Sequence, residues 1–212
     1  MQFSSLLISL TFFASGSAAL IYQLVWQRYL FTAVGVDIDS VTLIVSSFML
    51  GIGIGGAIGG WCADRWVKSR LYIYGLAELM LALFGVLSPW VFSGVQDLGG
   101  QGLSYSLVCF FAVLVVLIPT IVMGATLPLL TMYFDEVLKN VGVSVGKLYF
   151  FNTMGAAFGA WLAAWVLFDN FGLNDAARFA AVVNFVCFLC VILATRIGHI
   201  KLMMPMAEGD VK

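Results

Sequence analysis

The sequence predicts an all-α integral membrane protein with six transmembrane helices. Of its 212 residues, 62% are hydrophobic and 10% are charged, whereas a soluble domain carries about 25% charged residues. The apolar residues fall into six runs, each close to the roughly 20 residues that a helix needs to cross a bilayer. Short segments that hold most of the charged side chains separate these runs.

The first apolar run is interpreted as a retained span and not as a signal peptide. It lacks a basic start, and its apolar pattern continues through Trp26. Residues 1–200 are predicted to form one six-helix transmembrane domain, and 201–212 a short cytoplasmic tail. The six predicted spans are roughly 4–32, 40–62, 71–93, 104–134, 147–168 and 174–196.

The lysines and arginines predict the orientation, because cytoplasmic loops are enriched in them. With both termini inside, only Arg28 and Arg178 remain outside, and Tyr22, Trp26 and Tyr29 are expected in the outer aromatic belt. We therefore expect cytoplasmic N- and C-termini in a bacterial-type inner (plasma) membrane. The inner side then holds Arg65, Lys68, Arg70, Lys139, Lys147, Arg196, Lys201 and Lys212.

The second span contains an apolar run, 48–61, with six glycines. Glycines spaced by four residues form flat strips along a helix, and another helix can pack closely against such a strip. Gly51, Gly55 and Gly59 form one strip, and Gly56 and Gly60 form another. We predict helix packing within or between chains for both strips, with a substrate path as the alternative. No phosphate loop fits, because no Gly-Lys-Ser/Thr follows.

The fifth span repeats this pattern. Gly155-Ala-Ala-Phe-Gly-Ala-Trp161 matches Gly55-Gly-Ala-Ile-Gly-Gly-Trp61 in its small residues and tryptophan, so Gly155 and Gly159 are also predicted to pack against a helix. Spans 2 and 5 cross the membrane in opposite directions. The match predicts a 3+3 inverted repeat, the unit of many secondary transporters. The alternative is that both helices need small packing faces.

Polar groups inside a bilayer are costly and are candidate sites by default. Glu78 in the third span is either a cation or proton site or a buried acid that fixes packing. Span 4 contains Pro119 and Pro128, and a span interrupted by Gly and Pro is typical of transporter binding sites. The alternative is a structural kink whose freed backbone groups are satisfied by Thr120 or Thr126.

Two polar residues of span 5 are predicted to lie at the same depth in the membrane as the candidates in spans 3 and 4. At a rise of about 1.5 Å per residue, Asn152 lies at a depth similar to that of Glu78 and the 124–128 break, and Tyr149 lies close to it. Gln23 in span 1 is a candidate for an outward-facing vestibule. The predicted substrate-binding residues are Glu78, Asn152, Thr126, Tyr149, Gln23, Pro119 and Thr120.

Other chemistry has little support in the sequence. The one histidine, His199, lies near the C-terminus, and Cys187 and Cys190 form a C-x-x-C inside an apolar run, without the soluble context of a redox motif. We expect no catalytic residues, no metal, no cofactor and no enzyme activity. No basic patch indicates nucleic acid, so the expected surroundings are the lipid bilayer and protein partners.

Several stretches resemble the membrane domain of membrane-bound spermidine-synthase-like proteins, also described as fused major facilitator/spermidine synthase proteins. They are Phe12-Phe-Ala-Ser-Gly-Ser-Ala-Ala-Leu-Ile-Tyr-Gln-Leu-Val-Trp-Gln-Arg28, Phe48-Met-Leu-Gly51, Tyr74-Gly-Leu-Ala-Glu78, Pro119-Thr-Ile-Val-Met-Gly-Ala-Thr-Leu-Pro128 and Leu148-Tyr-Phe-Phe-Asn-Thr-Met-Gly-Ala156. Members of that family usually continue into a soluble aminopropyltransferase-like domain with a Rossmann-type fold. This sequence ends after the sixth span, so we expect a membrane module without aminopropyl-transfer activity.

The predicted function is binding or transport of a small, polyamine-like cationic solute. A full major facilitator has twelve spans, so a half-major-facilitator architecture predicts a homodimer or a complex with another membrane or synthase-like protein. The alternative is a non-transporting scaffold that docks a separately encoded spermidine-synthase-like or other partner.

Overall fold

A computed structural model describes residues 2–35 and 38–203, with side chains for 6–35 and 41–196. In this part of the chain, six helices are long and apolar enough to cross a membrane. This confirms the predicted all-helical class with six spans, while residues 204–212 of the predicted tail lie outside the described residues. The helices are α1 (Gln2–Val34), α2 (Ile38–Arg65), α3 (Arg70–Gly100), α4 (Tyr105–Leu138), α5 (Val141–Asn170) and α6 (Leu173–Met203).

Short connections join these helices. A 3-10 turn, Val67–Ser69, leads into α3. Lys139 ends α4 with a φ of 53°, and the side chain of Asn140 caps α5 by accepting a 3.1 Å hydrogen bond from the backbone N–H of Val143. Only a few residues therefore separate the end of one helix from the start of the next.

α5 departs from regular α-helical geometry, and α4 departs from the predicted interruption. The 163–167 segment of α5 is a π-helical turn. α4, in contrast, is one continuous helix with Pro119 and Pro128 inside it. The predicted break at 124–128 is therefore wrong, because each proline removes one backbone hydrogen bond without ending the helix.

The helices pack in a regular arrangement around α1. α2 lies mainly against α4, and α5 lies mainly against α1. α3 packs against α6 and α4, while α6 packs against α1 and α3. α2 and α5 are the most exposed spans, with 28% and 22% of their apolar windows buried, against 61% for α1. The apolar outer faces of α2 and α5 are those expected to meet lipid or another protein.

One glycine strip of α2 makes the close contact with α4. A Cβ added at Gly55 would overlap the carbonyl oxygen of Ile121, and one at Gly59 would overlap that of Ala125. Gly51 lies against the hydroxyl of Thr120. The other strip differs, since in the described part of the chain no atom lies within 4 Å of a Cβ added at Gly56 or Gly60. The second strip therefore makes no such close helix contact among the described residues.

α5 meets α1 in the same way. A Cβ at Gly155 would overlap the carbonyl oxygen of Phe13, and one at Gly159 that of Ser17. The hydroxyl of Ser17 lies 2.8 Å from the carbonyl oxygen of Gly155 in α5 and 3.0 Å from that of Phe13 in its own helix. It can therefore donate either to the neighbouring helix or within α1.

The contacts at the two crossings are related by constant sequence offsets. Gly155 and Gly159 of α5 lie 100 positions after Gly55 and Gly59 of α2. Asn152 likewise lies 100 positions after Ile52. The α1 and α4 partners are 108 positions apart, since Phe13 and Ser17 correspond to Ile121 and Ala125. The reverse contacts follow the same register: Gly124 lies against Ile52, and Gly16 lies against Asn152.

The aromatic residues of α1 belong to the core. Tyr22 and Trp26 are 0% exposed, and their rings stack with centroids 4.9 Å apart. The hydroxyl of Tyr22 donates a 3.3 Å hydrogen bond to the carbonyl oxygen of Leu81 in α3. The predicted aromatic belt is therefore wrong for Tyr22 and Trp26, because α1 is the most enclosed helix. Tyr29, nearer the end of α1, hydrogen-bonds Asn174.

A buried arginine joins three helices at one end of the bundle. Arg70 is 5% exposed. Its Nε donates to the carbonyl oxygen of Ala63 in α2 at 2.8 Å, and its Nη1 donates to that of Met132 in α4 at 3.1 Å. Nη1 also pairs with Oε1 of Glu136 at 2.6 Å. The start of α3 is thus tied to the ends of α2 and α4.

Candidate functional site

A cavity of about 320 Å³ lies between α1, α2, α4 and α5. Most of its wall is apolar, because leucine, isoleucine, methionine, phenylalanine and alanine side chains and glycines form much of it. The polar side chains in the wall are Ser15, Gln23, Thr126, Tyr149 and Asn152. The lining contains no acidic or basic residue among the described positions.

Four of the predicted substrate-binding residues meet in this cavity. Gln23 comes from α1, Thr126 from α4, and Tyr149 and Asn152 from α5. Helix rise places these residues at suitable depths, and the packing of α5 against α1 then brings their side chains to one space.

The other three predicted residues lie elsewhere. Pro119 and Thr120 are buried outside the cavity lining. The Thr120 hydroxyl lies 2.9 Å from the carbonyl oxygen of Val116 and 3.0 Å from that of Leu117. Glu78 also lies outside the lining, because its face of α3 is turned to α6. These three residues therefore do not contribute to the cavity wall.

The proline in the cavity wall adds a backbone acceptor. Pro128 has no N–H to donate to the carbonyl oxygen of Gly124, and both residues line the cavity. The hydroxyl of Thr126 donates to the carbonyl oxygen of Met123 at 2.7 Å, so it does not occupy that of Gly124. A polar solute could use this carbonyl.

The lining follows the register of the helix crossings. Twelve of the lining residues form six pairs that are 108 positions apart on α1 and α4 or 100 positions apart on α2 and α5. The first three helices and the last three therefore contribute positions at constant sequence offsets to one space. The pairs are Ser15 with Met123, Gly16 with Gly124, Ala19 with Leu127, Leu20 with Pro128, Ile52 with Asn152, and Gly56 with Ala156.

Glu78 belongs to a second polar cluster, between α1, α3 and α6. It is 0% exposed, and its Oε2 accepts a 2.6 Å hydrogen bond from Nδ2 of Asn184 in α6. The hydroxyls of Tyr74 and Ser15 lie beside the same carboxyl group. Asn184 therefore makes a side-chain hydrogen bond between α6 and α3.

Three oxygens in this cluster have no hydrogen-bond partner within the described residues. They are Oε1 of Glu78, Oδ1 of Asn184 and the hydroxyl of Tyr74. Buried polar atoms in native proteins are nearly always paired. The Tyr74 and Ser15 hydroxyls can donate to the carboxyl group, whereas Oδ1 of Asn184 has no donor within hydrogen-bond range among the described residues.

Ser15 connects the two polar regions. It lines the cavity and also lies next to the carboxyl group of Glu78. α1 is thus a thin wall, with the cavity on one side and the Glu78–Asn184 pair on the other. Ser15 is not among the predicted site residues, because it lies in a run of small residues that also suits close packing.

The cysteines show no sign of metal or disulfide chemistry in the described residues. Cys187 and Cys190 are free thiols, and the thiol of Cys187 donates to the carbonyl oxygen of Thr11 at 3.4 Å. Among the described residues, no group of three or more His, Cys, Asp or Glu side chains could hold a metal ion.

Comparison with known proteins finds one distant similarity. Over 158 residues the chain is 22% identical to a polyamine aminopropyltransferase of Oceanobacillus iheyensis, and the match covers 74% of this chain and 29% of that protein. The chain thus spans less than a third of the length of this relative. No family model and no solved structure matches the chain. The similarity supports a distant link to spermidine-synthase-like proteins.

Proposed function

We propose that this chain is a multi-pass membrane module that binds, and moves across the membrane, a small cationic solute of the polyamine class. The observation that carries the proposal is the cavity between α1, α2, α4 and α5, with its paired lining positions. Secondary transporters bind their substrates near the middle of the membrane, at the interface between structural repeats.

The proposal includes a 3+3 inverted repeat, in which α1–α3 and α4–α6 are equivalent halves. The constant offsets of 100 and 108 positions at the two glycine crossings support this. The Glu78–Asn184 bond fits the same scheme, because it joins the third helix of each half. We propose that six such helices form half of a major-facilitator-like transporter, completed by a second copy or by another membrane protein.

The character of the cavity suits an alkyl amine. Its apolar wall matches a hydrocarbon chain, and an ammonium group needs only hydrogen-bond acceptors, since it carries donors alone. Ser15, Gln23, Thr126 and Asn152 supply oxygen acceptors. The distant relative is named a polyamine aminopropyltransferase, and this name favours polyamines over other cations.

The remaining parts of the proposal concern placement. We propose a bacterial-type inner membrane and cytoplasmic termini, on the basis of the lysine and arginine distribution. Residues 1–200 would form the transmembrane domain and 201–212 a cytoplasmic tail. The proposed role is binding and transport without catalysis by this segment.

Binding to the protein in nanodiscs tests the proposal, with radiolabelled putrescine and spermidine as probes. Asn152→Ala is expected to weaken binding by roughly five- to tenfold, because one hydrogen bond is worth about 1 kcal/mol. Asn170→Ala is the matched control, since Asn170 lies at the exposed end of α5 outside the cavity lining. Uptake into proteoliposomes then separates transport from binding. Absent binding, or equal effects of the two variants, would refute the proposal.

A scaffold is the second candidate function, and the open face of α2 favours it. Gly53 and Gly60, which lie outside the cavity lining, have no atom within 4 Å of an added Cβ in the described part of the chain. Such a face lets another helix approach closely. Gly60→Leu should then release a partner that co-purifies in mild detergent, with solute binding absent in the unmodified protein. Gly55 is unsuitable for this test, because its substitution disturbs α2 and α4 themselves.

A further inference from the structure

Glu78 is a buried acid without a cationic partner in the described residues. The titratable groups that face it are Tyr22 from α1, Tyr74 from α3 and Cys187 from α6. None of these side chains carries a positive charge in any protonation state. An ionised carboxylate in this position would have no compensating charge, which is costly inside a membrane protein.

The hydrogen-bond pattern around Glu78 has room for one proton. Nδ2 of Asn184 donates to Oε2 of Glu78 at 2.6 Å, while Oε1 of Glu78 and Oδ1 of Asn184 are both acceptors without a partner. A proton on the carboxyl group removes the buried charge and converts an acceptor into a donor. A carboxylic acid and a carboxamide can then each donate one hydrogen bond to the other.

We propose that Glu78 and Asn184 form a proton-binding pair, and that this proton is exchanged for the charge of a cationic solute in the neighbouring cavity. The exchange half of this inference rests on the function proposed above. No charged side chain lines the cavity in the described residues, so a solute cation needs a counter-charge from beyond its wall. Glu78 lies directly behind Ser15 and supplies it.

The exchange compensates one positive charge of the solute. When the cation enters, the O–H bond of the Glu78 carboxylic acid breaks, the electron pair stays on the carboxylate, and the proton passes to water in the cavity. One proton leaves for one ammonium group that enters, so a diamine such as putrescine keeps its second charge uncompensated by this step. Ser15 positions this step, because its hydroxyl can donate to the carboxylate that remains while its backbone stays in the cavity wall.

Infrared difference spectroscopy of the protein in nanodiscs at neutral pH tests the proton site. Subtracting the Glu78→Gln spectrum should reveal the carbonyl stretch of a neutral carboxylic acid in the unmodified protein. Glutamine keeps a donor and an acceptor for Asn184, and a thermal unfolding curve checks that the variant is folded. Asn184→Leu should shift the band. Ser88→Ala, a buried change in α3, the helix of Glu78, should leave the band in place.

Two results of that measurement would overturn the proton site. One is a carboxylate signal in the unmodified protein in place of the neutral acid. The other is a carboxylate that forms in sodium buffer and disappears in choline buffer, which would make the pair a sodium site.

Putrescine added to the same samples tests the exchange. The neutral-acid band should fall, and a pH indicator in weak buffer should report about one proton released for each bound solute. Ser15→Ala should reduce this release more than it reduces binding. Binding without proton release would overturn the exchange. If putrescine does not bind, the proposed function and the exchange both fail, while the infrared band alone decides the proton site.

Discussion

Gly59 lies so close to Ala125 that a side chain on Gly59 would overlap the carbonyl oxygen of Ala125. The next residue, Gly60, has open space around it in the described part of the chain. These neighbours share one helix, one depth and one residue type, and they differ in whether another helix covers them.

This difference predicts opposite effects of the same substitution. Gly59→Ala should lower the free energy of unfolding by about 1–3 kcal/mol, because α2 and α4 must separate to admit the methyl group. Gly60→Ala should be neutral or stabilising by up to about 1 kcal/mol, since alanine favours the helix. Thermal unfolding in mild detergent measures both. Equal losses for the two variants would contradict the close α2–α4 crossing.

The glycine spacing predicted that α2 has small-residue strips, but it could not tell which strip is covered. A period of four residues marks a face of a helix, whereas the choice of face depends on where the neighbouring helix lies. The same spacing at Gly155 and Gly159 predicted a small-residue strip on α5. It could not identify α1 and α4 as the partners.

The polar residues show a similar limit. Helix rise placed Asn152 and Thr126 at a common depth, and both line the cavity. Glu78 was expected to join them, yet it faces α6, because depth alone does not fix the direction in which a side chain points. Tyr22 and Trp26 resemble an interfacial belt in sequence, but the central position of α1 buries them.

The matched register predicts that Gly159 tolerates substitution as poorly as Gly59. Gly159→Ala should destabilise the protein by a similar amount, about 1–3 kcal/mol, because its methyl group would overlap the carbonyl oxygen of Ser17. Gly146 is the control in the same helix, since an added Cβ there meets no atom within 4 Å among the described residues. A tolerated Gly159→Ala beside a damaging Gly59→Ala would argue against equivalent crossings.

Ser17 should contribute a measurable hydrogen bond between α1 and α5. Ser17→Ala removes a buried donor that lies 2.8 Å from the carbonyl oxygen of Gly155. The expected loss is about 0.6 kcal/mol, the average for such bonds between membrane helices. Ser93→Ala is the control, because the exposed hydroxyl of Ser93 donates only within its own helix, to Trp90. Chemical unfolding in detergent should therefore separate the two variants, and their coincidence would remove this bond from the interface.

Arg70 should stabilise the bundle mainly through the backbone acceptors that it satisfies. Arg70→Ala leaves the carbonyl oxygens of Ala63 and Met132 without this donor, so we expect a loss of about 2–3 kcal/mol in the free energy of unfolding. Glu136→Gln should cost less than about 1 kcal/mol, because glutamine keeps an oxygen acceptor for the buried Arg70 and the Glu136 end of the pair is 50% exposed to screening solvent. Arg70→Lys should rescue only part of the loss, since an ammonium group lacks the planar fork that reaches several acceptors. Unfolding in mild detergent measures all three, and a Glu136→Gln loss as large as that of Arg70→Ala would show that the ion pair dominates.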